Sequence, residues 1–478
     1  MPKDASSFEL TLPSRPKHTT LTRWLLEELR RAILDGRLRP GTRLPATRDF
    51  ASQYGVSRGT VVGVFEQLEA DGYLRGQVGA GTFVSEQLPR DLRGIQKPAA
   101  PSRVLPEPLV DLPPLKYPAR PFRLHQPAIA DFPLKIWARV ASRRLRRLSS
   151  SQLTGVDMRG YRPLREALAG YLGSSRGVKC HPDQIVILSG VQQGLDILAR
   201  LLLKPGDAVW MEDPGYFGAA IAFRNARAKI IPVPVDERGL SVSRGKQLFG
   251  HAKAAYLTPA HQFPLGMTMP LERRLDVLEW AANVGAFVIE DDYDSEFRFE
   301  GGPVPALQGL DRNNNVILLG TLNKLLFPSL RLGYAVLPSA LIDPFLAFRY
   351  GTDINGGGLA QAILCDFIVE GHLGRHIRRM RELYAGRLGA LLSGGRKYLK
   401  GLLDISPVQA GLYTAGFLRN RMPSQEAETA AFAHDVETMG LHRFALRVPK
   451  VNGLLLGFAA FDEREIRNGL VRLAEALS

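Results

Sequence analysis

A chain of 478 residues, 45% hydrophobic and 23% charged, has the composition of a globular protein long enough for roughly two or three domains. Its formal net charge of +15 and pI near 9.9 favour a polyanionic partner, nucleic acid first, although the charge is spread along the chain and a generally basic protein fits it too. Cys180 and Cys365 are the only cysteines, which excludes a disulfide framework and suits a reducing cytosol. Met1 to Ser7 carry no apolar signal core, and no apolar run of about 18 residues exists, so the expectation is a cytoplasmic protein without membrane contact.

Residues 1–85 read as a small basic module. Leu25, Leu26, Leu29, Ile33 and Leu34 recur at helical spacing up to Gly36. A turn over Arg39 to Pro45 precedes a second helix, Thr47 to Tyr54, ended by Gly55. A third helix follows with Ser57 as N-cap and runs to about Asp71. Gly72 to Leu74 and Thr82 to Val84 suggest two short strands around a glycine-rich tip. Three helices and a hairpin make a winged helix-turn-helix, whose recognition helix enters the major groove N-terminus first. The stretch resembles the GntR-type winged helix in Leu38 to Pro45, Arg48, Gly55 to Val61, Leu68, Gly72 to Leu74 and Gly79 to Val84. That resemblance implies a DNA-binding set of Arg43, Arg48, Ser57, Arg58 and Thr60, with the wing around Gly79 along a groove. Arg58 suits a guanine edge, and Arg43 and Arg48 suit phosphates. Ala46 stands where the family usually has serine, which predicts a weak cap on the second helix.

Prolines from Pro89 to Pro118 exclude helix and central strand across residues 86–120, which read as a semi-stiff linker. Trp137 to Leu148 is a basic helix that reads most simply as a solvated face. From Tyr161 onward, helices alternate with short buried strands at Gln184 to Leu188, Ala208 to Met211, Lys229 to Val233, Ala254 to Thr258, Ala286 to Glu290 and Val316 to Leu319. This predicts an α/β domain over 121–478 with a mostly parallel sheet, and ligands bind such sheets beyond the carboxyl ends of the strands. Val408 to Leu412 and Leu454 to Phe458 suggest strands of a smaller C-terminal subdomain.

The chemistry gathers at those strand ends. The turn Ser189 to Gln193 opens a helix and suits a phosphate, although a plain strand-helix turn explains it as well. Asp213 to Tyr216 ends a strand with an aromatic able to stack on a ring. Glu290 to Glu296 is rich in carboxylates. Lys324 lies among Leu322, Leu325, Leu326 and Phe327. Alone it reads either as a lysine snorkelling to the surface or as a desolvated amine forming a Schiff base to pyridoxal phosphate.

These segments together resemble the fold-type I pyridoxal-phosphate enzymes of the aminotransferase kind. With the winged helix and linker, nearly the whole chain resembles the MocR/GabR-type transcription regulators. The resemblance implies an internal aldimine at Lys324, Asp291 on the pyridine nitrogen, Tyr293 on the phenolic oxygen and Tyr216 stacked on the ring. It further implies Gly190, Val191, Thr321 and Arg331 around the phosphate, with His261 and Gln262 near the ring substituents. Arg443 and Arg447 are the nearest matches to an effector-carboxylate grip, and a surface role suits them equally. No metal site is expected. Three departures stand out. Asn323 replaces a serine and Gly155 a tyrosine, which predicts weaker cofactor binding. Phe263 replaces the asparagine of working aminotransferases.

The implied protein is a PLP-dependent regulator that binds operator DNA as a head-to-tail homodimer and senses an amine or amino acid, or PLP itself, through Lys324. Its aminotransferase-like domain serves as a sensor more than as a working enzyme. The rivals are an active aminotransferase that carries a DNA-binding domain and a regulator that has lost its cofactor.

Overall fold

The computed structural model describes residues 10–16, 18–77, 80–86, 118–148, 157–353, 356–447 and 451–478. Gly79, Gly155 and residues 87–117 of the proline-rich stretch lie outside them. The chain divides into two units, Met1–Pro108 and Leu109–Ser478.

In the first unit, Leu25, Leu29, Ala32 and Ile33 form the buried stripe of α1 (Leu21–Leu34). Phe50 and Ala51 of α2 (Thr47–Tyr54) and Val61, Val64, Phe65 and Leu68 of α3 (Arg58–Ala70) close the core against it. Gly55, at φ +64°, ends α2 in the left-handed conformation that glycine adopts without steric cost. The Ser57 hydroxyl accepts the Thr60 N–H at 3.1 Å and caps α3 as expected. The hairpin is β1 (Leu74–Gln77) with β2 (Gly81–Val84). It starts at Leu74, because Gly72 takes φ +77° and turns the chain out of α3 first. Arg43, read as part of a turn, instead bridges Phe83 and widens the wing.

The second unit is built on an eight-stranded sheet in the order β3-β10-β9-β8-β7-β4-β5-β6. Its strands are β3 (Ile185–Leu188), β4 (Ala208–Asp213), β5 (Lys229–Asp236), β6 (Gly239–Leu240), β7 (Ala254–Leu257), β8 (Phe287–Asp292), β9 (Val316–Thr321) and β10 (Gly333–Val336). The pairs among β5, β4, β7, β8 and β9 are parallel; β10 is antiparallel to both β9 and β3. Fully buried strands such as Ile185–Leu188 explain the continuous apolar runs, and helix-side cores cover both faces. A smaller sheet comprises β11 (Leu403–Ile405), β12 (Tyr413–Leu418), β13 (Met439–Gly440) and β14 (Gly453–Gly457), in the order β11-β12-β14-β13. The expected strand over Val408 to Leu412 is therefore displaced: pairing begins at Tyr413, after Gly411 takes φ +100°.

The basic helix α4 (Leu134–Arg146) is not simply a solvated face. Arg144 donates through Nε to Asp366 at 2.9 Å, and Arg143 pairs with Glu370, so its arginines tie it to the helix Gly358–Val369 and to the residue that caps that helix. No described helix is long and apolar enough to cross a membrane.

Ala46 precedes α2 and supplies no side-chain cap. Ala46→Ser is expected to stabilise that helix by about 1 kcal/mol, read as slower amide exchange across Thr47–Tyr54. Unchanged exchange would show that the helix start is satisfied some other way.

Candidate functional site

Register assembles the site. Gly333 pairs with Leu188 on one side and with Thr321 on the other, so the ends of β3 and β9 and the start of β10 share one edge. A Cβ on Gly333 would lie 2.9 Å from the Gly320 carbonyl and 3.3 Å from the Gly190 Cα, so only glycine allows this approach. Gly190, at φ +151°, then opens the helix Val191–Leu202 with free space beside it. The turn is braced from behind: Gln193 Oε1 accepts the Ser189 N–H at 2.9 Å, and Asp353 accepts from Ser189 Oγ at 3.2 Å and Gln193 Nε2 at 3.1 Å. A rigid turn at a helix N-terminus is a ready anion seat.

At the same edge Thr321 ends β9, buried, and its Oγ1 accepts the Asn323 N–H at 3.3 Å. Asn323 Oδ1 accepts the Leu332 N–H at 2.9 Å. The residue that breaks the family pattern thus closes the loop that presents Arg331, which is exposed and held at φ +53°. Lys324 sits inside this loop with its Nζ 4.1 Å from the centroid of the Tyr293 ring. Its stem is half-buried, and desolvation of its amine lowers the pKa below the usual lysine range, against the opposing pull of Asp294 and Asp291.

Asp291, near the end of β8, accepts the Tyr256 hydroxyl on Oδ2 at 2.7 Å. Its Oδ1 is buried without a hydrogen-bond partner. Burial pushes Asp291 up to about 6, against the Tyr256 hydrogen bond and Lys324. A buried carboxylate oxygen left open is costly unless a cationic donor meets it. A seat for an anion, an amine and an open carboxylate at one sheet edge fit the phosphate, aldehyde and ring nitrogen of pyridoxal phosphate.

An aromatic group adjoins them. Tyr216 meets Phe263 edge-on at 5.9 Å, its hydroxyl 3.4 Å from Gln192 Oε1; burial and Asp291 push it up to about 12. The Tyr293 hydroxyl donates to the His261 carbonyl at 2.8 Å and lies 2.6 Å from the Tyr413 hydroxyl. His261 Nδ1 lies 2.9 Å from Asp294 Oδ1, while its Nε2 is buried and unbonded. Gln262 is spent on the turn it belongs to, donating to the Pro214 carbonyl at 3.0 Å and accepting the Leu265 N–H at 3.0 Å. Sequence reasoning missed Tyr413 and His125, which reach this edge from distant parts of the chain; Asp294 lay within the carboxylate-rich stretch but had no role of its own there. Arg443 donates to both oxygens of Glu428 at 2.8 Å, and Arg447 is exposed.

In the first unit Arg43, Arg48, Ser57 and Arg58 are exposed and Thr60 is half-exposed. Arg43 lies against the wing: a Cβ on Gly81 would come within 3.1 Å of its Nε.

Glu212, on β4 beneath the site, accepts the Thr258 hydroxyl at 2.7 Å and N–H at 3.2 Å on one oxygen; the other is buried without a partner. Thr258 Oγ1 in turn accepts the Phe263 N–H at 2.9 Å. Burial pushes Glu212 up to about 8. Its proton is kept in the folded chain and lost in the unfolded one between the ordinary carboxylate range and pH 8, so stability falls as pH rises through that window. Denaturant unfolding followed by Trp210 and Trp280 fluorescence should show this slope, at most about 1.4 kcal/mol per pH unit from this group. Glu212→Gln should lessen it, leaving the part that Glu296, also pushed up to about 8 by burial, contributes; an identical slope in the variant contradicts the assignment.

Comparison with known proteins matches the same two parts. Residues 21–84 match the bacterial regulatory proteins of the gntR family, and residues 129–473 match aminotransferase class I and II. Among the curated relatives, the probable rhizopine catabolism regulatory protein MocR of Rhizobium meliloti is 38% identical over 97% of this chain and 94% of its own length. The pyridoxine biosynthesis regulator PdxR of Corynebacterium glutamicum is 30% identical over 96% of each chain. Among solved structures, the kynurenine aminotransferase of Pyrococcus horikoshii superposes with a TM-score of 0.69 at 29% identity, over 74% of this chain and 90% of that one. A gntR-type DNA-binding module followed by an aminotransferase fold over nearly the full length of such relatives makes this chain a member of the MocR-type family of PLP-dependent transcription regulators.

Proposed function

We propose that this regulator senses a small primary amine, an amino acid included, at Lys324 and answers by changing its hold on operator DNA. The observation that carries the reading is the desolvated Lys324 amine over Tyr293, beside the open oxygen of Asp291, in a chain that also carries a gntR-type module. Pyridoxal phosphate, when bound, supplies an aldehyde that condenses reversibly with amines. The chain's residues set the terms of that exchange. Gly190, Val191, Thr321 and Arg331 would hold the phosphate, Tyr216 would lie against the ring, and Asp291 would face the ring nitrogen. The Tyr293 hydroxyl already bridges His261 and Tyr413, so any hold on the phenolic oxygen comes from this network. Lowering the lysine pKa raises the share of free amine, which favours exchange between Lys324 and an incoming amine.

Phe263 belongs to an apolar cluster with Tyr413 and Phe444 and offers no polar atom to the cofactor. This supports a sensor over an efficient aminotransferase. In the DNA-binding module Arg58 reads a base edge, Arg43 and Arg48 meet phosphates, and Ser57 and Thr60 fix the start of α3. The working form is a head-to-tail homodimer in the cytoplasm. The domains run over residues 1–85 and 121–478, joined by the 86–120 linker.

Adding pyridoxal phosphate to the purified chain should give a visible absorbance band that Lys324→Ala lacks. Mixing the loaded protein with a panel of amines should shift that band without complete conversion to the pyridoxamine form. Rapid and complete conversion would instead make it a working aminotransferase. On DNA, Arg58→Ala should cost roughly 1–3 kcal/mol and relax specificity at one base pair. Arg48→Ala should weaken all duplexes alike and lower the salt slope by about 1. Equal effects of the two substitutions on every sequence would contradict these roles.

A further inference from the structure

His125 lies in an irregular segment of the second unit, before the first long helix, and its backbone is held at φ +60°. Side chains rarely adopt that conformation, and a non-glycine residue held there concentrates at ligand sites. The residue as a whole is half-buried. Its imidazole lies 5.5 Å from the Phe263 ring and meets Tyr413 edge-on at 6.2 Å. It makes no hydrogen bond to any described residue. Burial, and after it the nearby charge of Lys324, hold its pKa well below the usual imidazole range and keep the ring neutral.

Among the described residues, no lysine or arginine besides Lys324 is seen to act on His125 or on the Lys324 amine. The charges that act on Lys324 are Asp294 and Asp291, both acidic. The apolar cluster beside them includes Leu124, Phe263, Phe444 and Leu455. Arg443 is paired with Glu428, and Arg447 is exposed. Among the described residues, a bound carboxylate would therefore meet the negative charge of Asp294 and Asp291 with no arginine facing it. A neutral imidazole has one N–H to donate and one nitrogen to accept, which matches a hydroxyl or an amide.

We propose that His125 recognises the effector, and that the effector is a primary amine bearing a neutral hydrogen-bonding group, a hydroxyl or an amide, in place of a carboxylate. This rests on the amine-sensing reading of Lys324 and narrows it. His125 sets selectivity; it is not required for the exchange at Lys324.

The test uses full-length, cofactor-loaded protein titrated with methylamine and with two matched pairs, ethanolamine against glycine and 3-aminopropanol against β-alanine. Cofactor absorbance and DNA affinity are both read. The wild type should take the alcohols at least about tenfold more tightly than the matched carboxylates. His125→Gly should shrink that preference to less than about threefold and leave methylamine unchanged. Its melting temperature should hold or rise, because glycine adopts the left-handed backbone freely. His125→Asn, which tolerates the same backbone and keeps a donor and an acceptor, should retain part of the preference. Carboxylates bound as tightly as the alcohols, or a preference unchanged in His125→Gly, would overturn the proposal. If methylamine fails to shift the spectrum of any form, the amine-sensing reading itself falls, and this proposal with it.

Discussion

An amine and a carboxylate, each partly stripped of water at one edge of a sheet, set the terms for everything around them. Lys324 and Asp291 would both be more comfortable in solvent, one lowered and the other raised in pKa by burial. Neither neutralises the other: Asp291 keeps a buried oxygen with no hydrogen-bond partner, and Lys324 lies over the face of Tyr293. Such an arrangement is a net cost to folding that a bound partner can repay, as strained and under-satisfied groups at ligand sites generally do. Pyridoxal phosphate has the complementary groups, an aldehyde for the amine and a ring nitrogen for the acid.

The fold makes that edge rigid. The glycine contact among Gly190, Gly320 and Gly333 brings three strand ends within van der Waals reach, and Asp353 and Gln193 lock the turn behind it. Asn323 closes the loop between Lys324 and Arg331 from inside. A substitution that looked like a weakening of the site therefore has a defined structural task. Further back, Glu212 and Thr258 fix the segment that carries Phe263. The aromatic lining is thus positioned by polar groups below it.

Much of this was legible in the sequence, for physical reasons that differ by element. Residues on β8 and β9 announced themselves because a parallel strand ends where its apolar run ends, and the chemistry begins at the next residue. Helix ends at Gly55 and Ser57 were legible because left-handed caps and hydroxyl N-caps are local decisions. The antiparallel β10 was hidden, since four apolar residues after a turn do not reveal strand direction. Tyr413 was placed one residue beyond the expected strand, because Val408 and Leu412 carry an apolar pattern that tertiary packing uses without pairing. Arg144 and Asp366, 222 residues apart, gave no sign of their partnership. His125 was invisible for the same reason: its role depends on Phe263, Tyr413 and Lys324, and nothing local marks a histidine in a left-handed turn.

A regulator of this design works only if the amine site and the DNA-binding module share an equilibrium. Thermodynamic linkage makes this testable in one experiment, because coupling between two ligands is reciprocal. The decisive measurement is the affinity of the loaded protein for an amine that shifts its cofactor band, taken with and without a duplex selected by the protein from a random pool. DNA is expected to change the amine affinity by the same factor by which the amine changes the DNA affinity. Equal amine affinity with and without DNA would contradict it.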